Sequence, residues 1–219
     1  MTTAETTTFA DLGLDDKIVA ALSARGITNP FPVQALTIPD ALAGRDVCGK
    51  AKTGSGKTLA FGLPVLQKMA KAEPCEPTGL VLVPTRELAN QVCDELTPAA
   101  KAVGRTTLAI YGGAPIEKQI ETLKKGIDLV VATPGRMIDL IERKEITVSQ
   151  VGHVIIDEAD RMADMGFLPQ VEWILRNVEA VHQTLLFSAT LDGVVNSLIR
   201  RYQTDPTMHE VAGEDVTVE

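Results

Sequence analysis

Short apolar runs recur along this chain, and each ends in a polar or glycine-bearing cluster. Gly79-Leu80-Val81-Leu82-Val83 leads into Pro84-Thr85-Arg86, and Thr107 to Tyr111 leads into Gly112-Gly113. Asp128 to Ala132 leads into Thr133-Pro134-Gly135-Arg136, Val154 to Ile156 into Asp157-Glu158-Ala159-Asp160, and Thr184 to Phe187 into Ser188-Ala189-Thr190. Runs this apolar suit strands covered on both faces. Helical stretches alternate with them, from the first cluster to about Ala102, over Ile116–Leu123, over Met137–Ile141 and from about Gly193 to Tyr202. The alternation predicts an α/β fold, an open and mostly parallel sheet with helices on both faces. Ligands then bind outside the carboxyl ends of the strands, so the clusters should share one rim.

An earlier stretch supplies the chemistry. Ala51-Lys52-Thr53-Gly54-Ser55-Gly56-Lys57-Thr58 stands between the short run Asp46 to Lys50 and the apolar-periodic segment Leu59 to Ala72. This reads as strand, tight glycine turn and helix. Small residues let backbone N–H groups converge on phosphate oxygens, and the helix N-terminus adds a favourable dipole. Lys57 would be a point charge on the outer phosphates, and the Thr58 hydroxyl a Mg²⁺ ligand. Ala51 stands where the general phosphate-loop pattern has its first glycine. A glycine-rich turn with no ligand is the alternative, and an acidic partner decides between them. Asp157 and Glu158 provide it: an aspartate leaving a buried strand can hold Mg²⁺, and the adjacent glutamate can orient and deprotonate an attacking water.

Upstream, Asp15 or Asp16 caps a helix carrying Ile18, Ala21 and Leu22 and stopped by Gly26. Pro32 suits the first turn of a second helix running to Ala43. Gln34 lies near its start, and its amide matches the donor and acceptor edge of adenine. On spacing alone an ordinary surface glutamine is the alternative.

Composition bounds the rest. The chain has 219 residues, 45% hydrophobic and 4% aromatic, enough for one well-buried domain. Its apolar stretches are too short to span a bilayer. Cys48, Cys75 and Cys93 lack metal-ligand spacing and read as reduced thiols in a cytoplasmic setting. The net charge of −8 argues against a broad nucleic-acid-binding face, so any such contact must be local.

Taken together, the clusters resemble the DEAD-box RNA helicases. Asp157-Glu158-Ala159-Asp160 spells the family name, and Ala51 to Thr58, Pro84 to Ala89, Gly112-Gly113, Thr133 to Arg136 and Ser188 to Thr190 stand in the family's order. Gln34 closes what looks like the Q motif, about residues 7–35, with Phe9 as its upstream aromatic. The family also uses alanine at Ala51. It usually carries Phe or Tyr where this chain has Ile27, beside the adenine.

The resemblance implies an RNA-dependent ATPase with a RecA-like fold over residues 9–210. Residues 1–8 would be a flexible lead-in, and residues 211–219 a tail or the start of a linker to a second RecA-like lobe. Phe9, Ile27, Gln34 and residues Ala51, Lys52, Thr53, Gly54, Ser55, Gly56, Lys57 and Thr58 would hold ATP, with Mg²⁺ on Thr58 and Asp157. Lys57, Asp157 and Glu158 would be catalytic, and Asp160, Ser188 and Thr190 would couple nucleotide state to RNA. Pro84, Thr85, Arg86, Gly112, Gly113, Thr133, Pro134, Gly135 and Arg136 would contact the RNA sugar-phosphate backbone. The arginines that complete the ATP site in this family belong to the second lobe, so the chain reads as the N-terminal lobe of a longer protein.

Overall fold

In a computed structural model that describes residues 7–211, the apolar runs become the strands of one seven-stranded sheet. The expectations for residues 1–6 and 212–219 lie outside the described residues. The chain runs α1 (Asp16–Ser23), α2 (Pro32–Leu42), β1 (Val47–Lys50), α3 (Lys57–Lys68), β2 (Gly79–Leu82), α4 (Arg86–Ala102), β3 (Thr107–Ile110) and α5 (Ile116–Leu123). It continues β4 (Leu129–Ala132), α6 (Pro134–Glu142), β5 (His153–Asp157), α7 (Ala159–Asp164), α8 (Leu168–Asn177), β6 (Gln183–Ser188), α9 (Gly193–Tyr202) and β7 (Thr207–Glu210).

The strand order is β3-β4-β2-β5-β6-β1-β7, and every neighbouring pair is parallel. Side chains alternate across the sheet, and they divide two cores. Val47, Val81, Val131, Ile155, Leu185 and Phe187 face one core, closed by Leu59, Leu63 and Leu66 of α3 and Val92 and Leu96 of α4. Leu80, Leu82, Val130, Val154, Ile156 and Leu186 face the other, closed by Met137 and Leu140 of α6, Val171 and Ile174 of α8, and Val195 and Leu198 of α9.

The structure differs from the sequence reading at four places. Helix α3 ends at Lys68 rather than Ala72, because the fully buried Asp128 carboxylate draws the next loop inward. It accepts from Ala72 N at 2.7 Å and from Thr106 N at 2.8 Å. Helix α6 begins one turn earlier than expected, with Pro134 in its first turn, so the whole Pro134-Gly135-Arg136 cluster is helical. Helices α7 and α8 occupy a stretch for which the sequence reading names no element. Strand β7 is the fourth difference; its Thr-Met-His-Glu carries no apolar run, and it is fixed through the chain leading into it. Asp46 accepts from Thr184 N and Thr204 N, and Gln203 donates to the Val47 and Thr184 carbonyls.

Strand β1, which leads into the glycine turn, has little room. Gly49 is paired with Phe187 of β6, and a Cβ there would come 2.6 Å from the ring. That ring also meets Phe61 of α3, with centroids 5.6 Å apart. Gly49→Ala should therefore cost about 1–3 kcal/mol of stability, as overpacking of a closed core does. Urea denaturation measures this, and an unchanged midpoint would mean that Phe187 has somewhere else to go.

Candidate nucleotide site and the neighbouring groove

All the polar clusters emerge on one rim, in an order set by the sheet. The glycine pair follows β3, the Thr133 cluster follows β4 and the Pro84 cluster follows β2, so these three are neighbours. Asp157-Glu158 ends β5, Ser188 ends β6, and the glycine turn follows β1, making a second contiguous group.

The turn from Ala51 to Gly56 is anchored at its start by Ala51 N donating to the Ser188 carbonyl at 2.9 Å. Gly56 caps α3 with φ +85°, and a Cβ there would come 2.5 Å from the Phe31 ring and 2.7 Å from the Gln34 amide nitrogen. Only glycine meets both the dihedral and the space. Lys57, next in the chain, is 6% exposed. Its Nζ lies 2.9 Å from Asp157 Oδ1 and 3.5 Å from Glu158 Oε1.

Asp157 is fully buried at the end of β5, and burial pushes its carboxyl above the ordinary value, with the Lys57 ammonium opposing. Its Oδ1 also accepts from Glu158 N, whereas its Oδ2 has no partner. Ser55 Oγ in the glycine turn is likewise buried and unpartnered. Such atoms are costly in a native fold unless something pairs with them. A bare carboxylate oxygen beside a phosphate cradle fits a hard divalent cation.

Glu158 takes the left-handed conformation, φ 50° and ψ 50°, which is strained for a side-chain-bearing residue. Thr53 Oγ1 reaches its Oε1 at 3.4 Å, and Arg161 Nη1 reaches its Oε2 at 3.2 Å. Arg161 follows the acidic tetrapeptide directly, and the sequence reading gives it no role. Burial pushes the Glu95 carboxyl of α4 up, with Arg25 and the Thr58 hydroxyl opposing. Asp160 meets the end of β6 twice, with its N–H donating to Ser188 Oγ at 3.1 Å and its Oδ2 accepting from Thr190 Oγ1 at 3.5 Å.

Gln34 is 2% exposed and braces the turn from behind. Its Oε1 accepts from Phe31 N at 2.8 Å, and its Nε2 donates to the Gly56 carbonyl at 2.9 Å. One amide N–H and one oxygen lone pair remain for a base. Ile27 is half-buried against the same core. Phe9 corrects the sequence reading: its ring is 1% exposed inside the core with Leu14, Ile18 and Leu22, so it anchors the segment and offers no face to a nucleotide. Phe31, which the sequence reading passes over, is instead 56% exposed beside the glycine turn.

The other half of the rim forms a groove of about 460 Å³ lined by Pro84, Arg86, Gly112, Thr133, Pro134, Gly135 and Arg136, all expected there. Tyr111, Asp139, Phe167 and Gln170 line it too, and no sequence cluster marks them. Gly113 lies 4.0 Å from Arg86 Nη1 when measured from a Cβ built on it. Thr85 caps α4 by accepting from Leu88 N at 3.2 Å. Helices α4 and α6 both start at this groove, and the first N–H groups of a helix have no intrahelical partner.

Comparison with known proteins follows the same lines. The DEAD/DEAH box helicase family matches residues 31–198. DEAD-box ATP-dependent RNA helicase CshA of Bacillus cereus is 44% identical over 212 residues, covering 97% of this chain and 40% of the relative. DEAD-box ATP-dependent RNA helicase 9 of Oryza sativa subsp. japonica is 44% identical over 94% of this chain and 33% of its own length. The crystal structure of a DEAD box protein from Methanococcus jannaschii superposes with a TM-score of 0.87 at 36% identity, over 93% of this chain and 55% of that one. This chain thus spans about two fifths of the length of the bacterial relative and a third of the plant one.

The buried Asp157 carboxylate predicts a pH effect. A carboxyl whose folded pKa lies above its ordinary value of 3.8 costs stability once pH rises past that value. Asp157→Asn removes that cost at neutral pH and leaves Glu158 as the Lys57 counter-charge. It should raise the Tm at pH 7 by about 2–4 °C, the shift that about 1 kcal/mol gives a chain of this size. The gain should shrink as pH falls toward 3.8. Thermal melts at pH 7 and at mildly acidic pH check this, and a lower Tm at pH 7 would show that the Lys57 pair outweighs burial.

Proposed function

The chain belongs to the DEAD/DEAH box helicase family, and on that premise we propose that it is the ATP-binding lobe of an ATP-dependent RNA helicase. ATP would lie on the β5-β6-β1 half of the rim and RNA on the β3-β4-β2 half. The observation that carries this is the contiguity of the two groups: β5 with its carboxylates lies directly between β2 and β6.

Phosphate enters by competition. Lys57 is held by Asp157 and Glu158, and a triphosphate offers it a stronger, multiply charged partner. Glu158, released from Lys57, keeps Thr53 and Arg161 as its hydrogen-bonding neighbours. It would orient the attacking water and accept its proton. Asp157 through Oδ2 and Thr58 through its hydroxyl would hold Mg²⁺, which when bound neutralises charge between the outer phosphates. Gln34 would read adenine with its remaining N–H and lone pair. Asp160, tied to Ser188 and Thr190, would carry nucleotide state across the rim. RNA would be held through its backbone by the starts of α4 and α6 and by Arg86 and Arg136, with little sequence preference.

In phosphoryl-transfer enzymes an arginine on the transferred group is worth roughly 10³–10⁵ in rate. The arginine at this carboxylate pair, Arg161, is spent on Glu158. The proposal therefore assigns that arginine to a second RecA-like lobe of the same protein. The cysteines among the described residues are free, and no helix there is long and apolar enough to cross a membrane. A cytoplasmic setting is part of the same proposal.

Two measurements test this reading. Calorimetry should show ATP and ADP binding in preference to GTP and GDP, and Lys57→Ala should weaken Mg-ATP by about ten- to a hundredfold while adenosine binding persists. Equal affinity for the two bases removes the role of Gln34, and Mg-ATP binding by Lys57→Ala at parental strength removes the phosphate cradle. Steady-state ATPase of the chain alone should stay near background with RNA present. Addition of the second lobe should restore RNA-stimulated turnover, and Glu158→Gln should abolish it. Strong RNA-stimulated turnover by the chain alone would overturn the division of labour between lobes.

A further inference from the structure

We propose that Gln119, a residue outside every cluster on the rim, is the positioning residue of the RNA groove. Gln119 lies on α5 and is 7% exposed, so both ends of its amide need partners. Its Nε2 donates to the Tyr111 carbonyl at 3.1 Å, at the end of β3. Its Oε1 accepts from Arg136 Nη1 at 3.2 Å, and the same guanidinium nitrogen donates to the Ala114 carbonyl at 3.0 Å. Arg86, in turn, lies over the Tyr111 ring at 4.9 Å.

One buried amide therefore joins two of the groove segments directly, and the third meets them only through the Tyr111 ring. Arg136 comes from the cluster after β4, Arg86 from the cluster after β2, and Tyr111 to Ala114 frame the glycine pair after β3. A glutamine that merely tied α5 to its strand would need only the Tyr111 carbonyl. The second bond goes to a groove arginine, and it is charge-assisted, the stronger kind. It fixes one edge of the Arg136 fork against the loop and leaves Nε and Nη2 as the groups able to face a phosphate. Gln119 and Arg136 also hold, one each, the Tyr111 and Ala114 carbonyls that bracket the exposed Gly112 and Gly113. Without Gln119 the Arg136 side chain gains rotamers and the glycine pair loses its frame, so a phosphate must pay to order both.

The proposal rests on the reading of this groove as the RNA site, and the test separates the two. Gln119→Met keeps length and volume and removes both hydrogen bonds. Binding of a labelled single-stranded oligouridylate is measured by fluorescence anisotropy for the parent chain, Gln119→Met, Arg136→Ala and the double variant, with ATP affinity measured alongside. Gln119→Met should weaken the oligonucleotide by about two- to thirtyfold, the size of effect a residue acting through a neighbour has. Its ATP affinity should stay within about twofold of the parent, and the loss in the double variant should be smaller than the two single losses combined. If Arg136→Ala weakens RNA and Gln119→Met does not, the positioning role is wrong and the groove stands. If ATP and RNA affinities of Gln119→Met fall together, or the two losses add in full, Gln119 is a general stability residue and the proposal fails. If the parent does not bind, or Arg136→Ala has no effect, the RNA reading of the groove falls and this proposal falls with it.

Discussion

The ion cluster of Lys57, Asp157 and Glu158 holds the two ends of the candidate nucleotide site together. Lys57 begins α3 after β1, and the carboxylates end β5, with β6 between the two strands. The lysine spans that intervening strand end. Taking such charges out of water is costly, and a pair repays this only with good geometry and satisfied remaining atoms. Here the geometry is good on one oxygen and absent on the other, since Asp157 Oδ2 is unpartnered. The protein thus bears a local cost at the point where a phosphate and a cation would relieve it. That is a binding site described in energetic terms, independent of any motif.

The parallel sheet makes the cluster reachable from the groove. Because every crossover returns the chain in the same direction, every strand delivers its C-terminal cluster to one rim. Strand order then decides which clusters are neighbours. Asp157-Glu158 falls in the middle, beside the Pro84 cluster on β2 and the Ser188 end of β6. In the proposed function a shift at the phosphates passes first to Asp160, which is tied to Ser188 and Thr190 at the end of β6. The strained Glu158 backbone adds to this, because a residue held at φ 50° is one whose surroundings over-determine it.

Much of this is legible in the sequence because the clusters and the apolar runs that deliver them are local patterns. Continuous apolar runs such as Gly79–Val83 and the glycine turn before Lys57 need no partner to be recognised. Strand order is not legible that way: no residue pattern in Val47–Lys50 says that β1 inserts between β6 and β7. Helix α8 carries a readable stripe in Val171, Ile174 and Leu175, but Phe167 gives it no capping side chain to mark a start. Strand β7 has no stripe at all and depends on Asp46 and Gln203. At the site, residue types are readable and partners are not. The Gln34 amide is shared between Phe31 and Gly56, and the latter is distant in sequence. Phe9 shows the converse: an aromatic in a ligand-binding stretch is first an apolar ring, and the core claims it.

The acidic balance of the chain is compatible with the RNA role proposed for the groove. A protein that bound nucleic acid through a broad field of lysines would be basic, and a net charge of −8 does not permit that field. The groove instead gathers the starts of two helices and the two arginines in their first turns. Helix N-termini supply N–H donors and partial positive charge without any net charge. The arginines are few, so their placement matters more, and both are held: Arg86 against the Tyr111 ring and Arg136 against Gln119 and Ala114. A guanidinium held in place loses less entropy on meeting a phosphate than a free lysine does. Fixed donors read the regular spacing of a backbone and carry no information about bases. An acidic chain with a local, backbone-directed groove is therefore consistent in its charge, its fold and its proposed work.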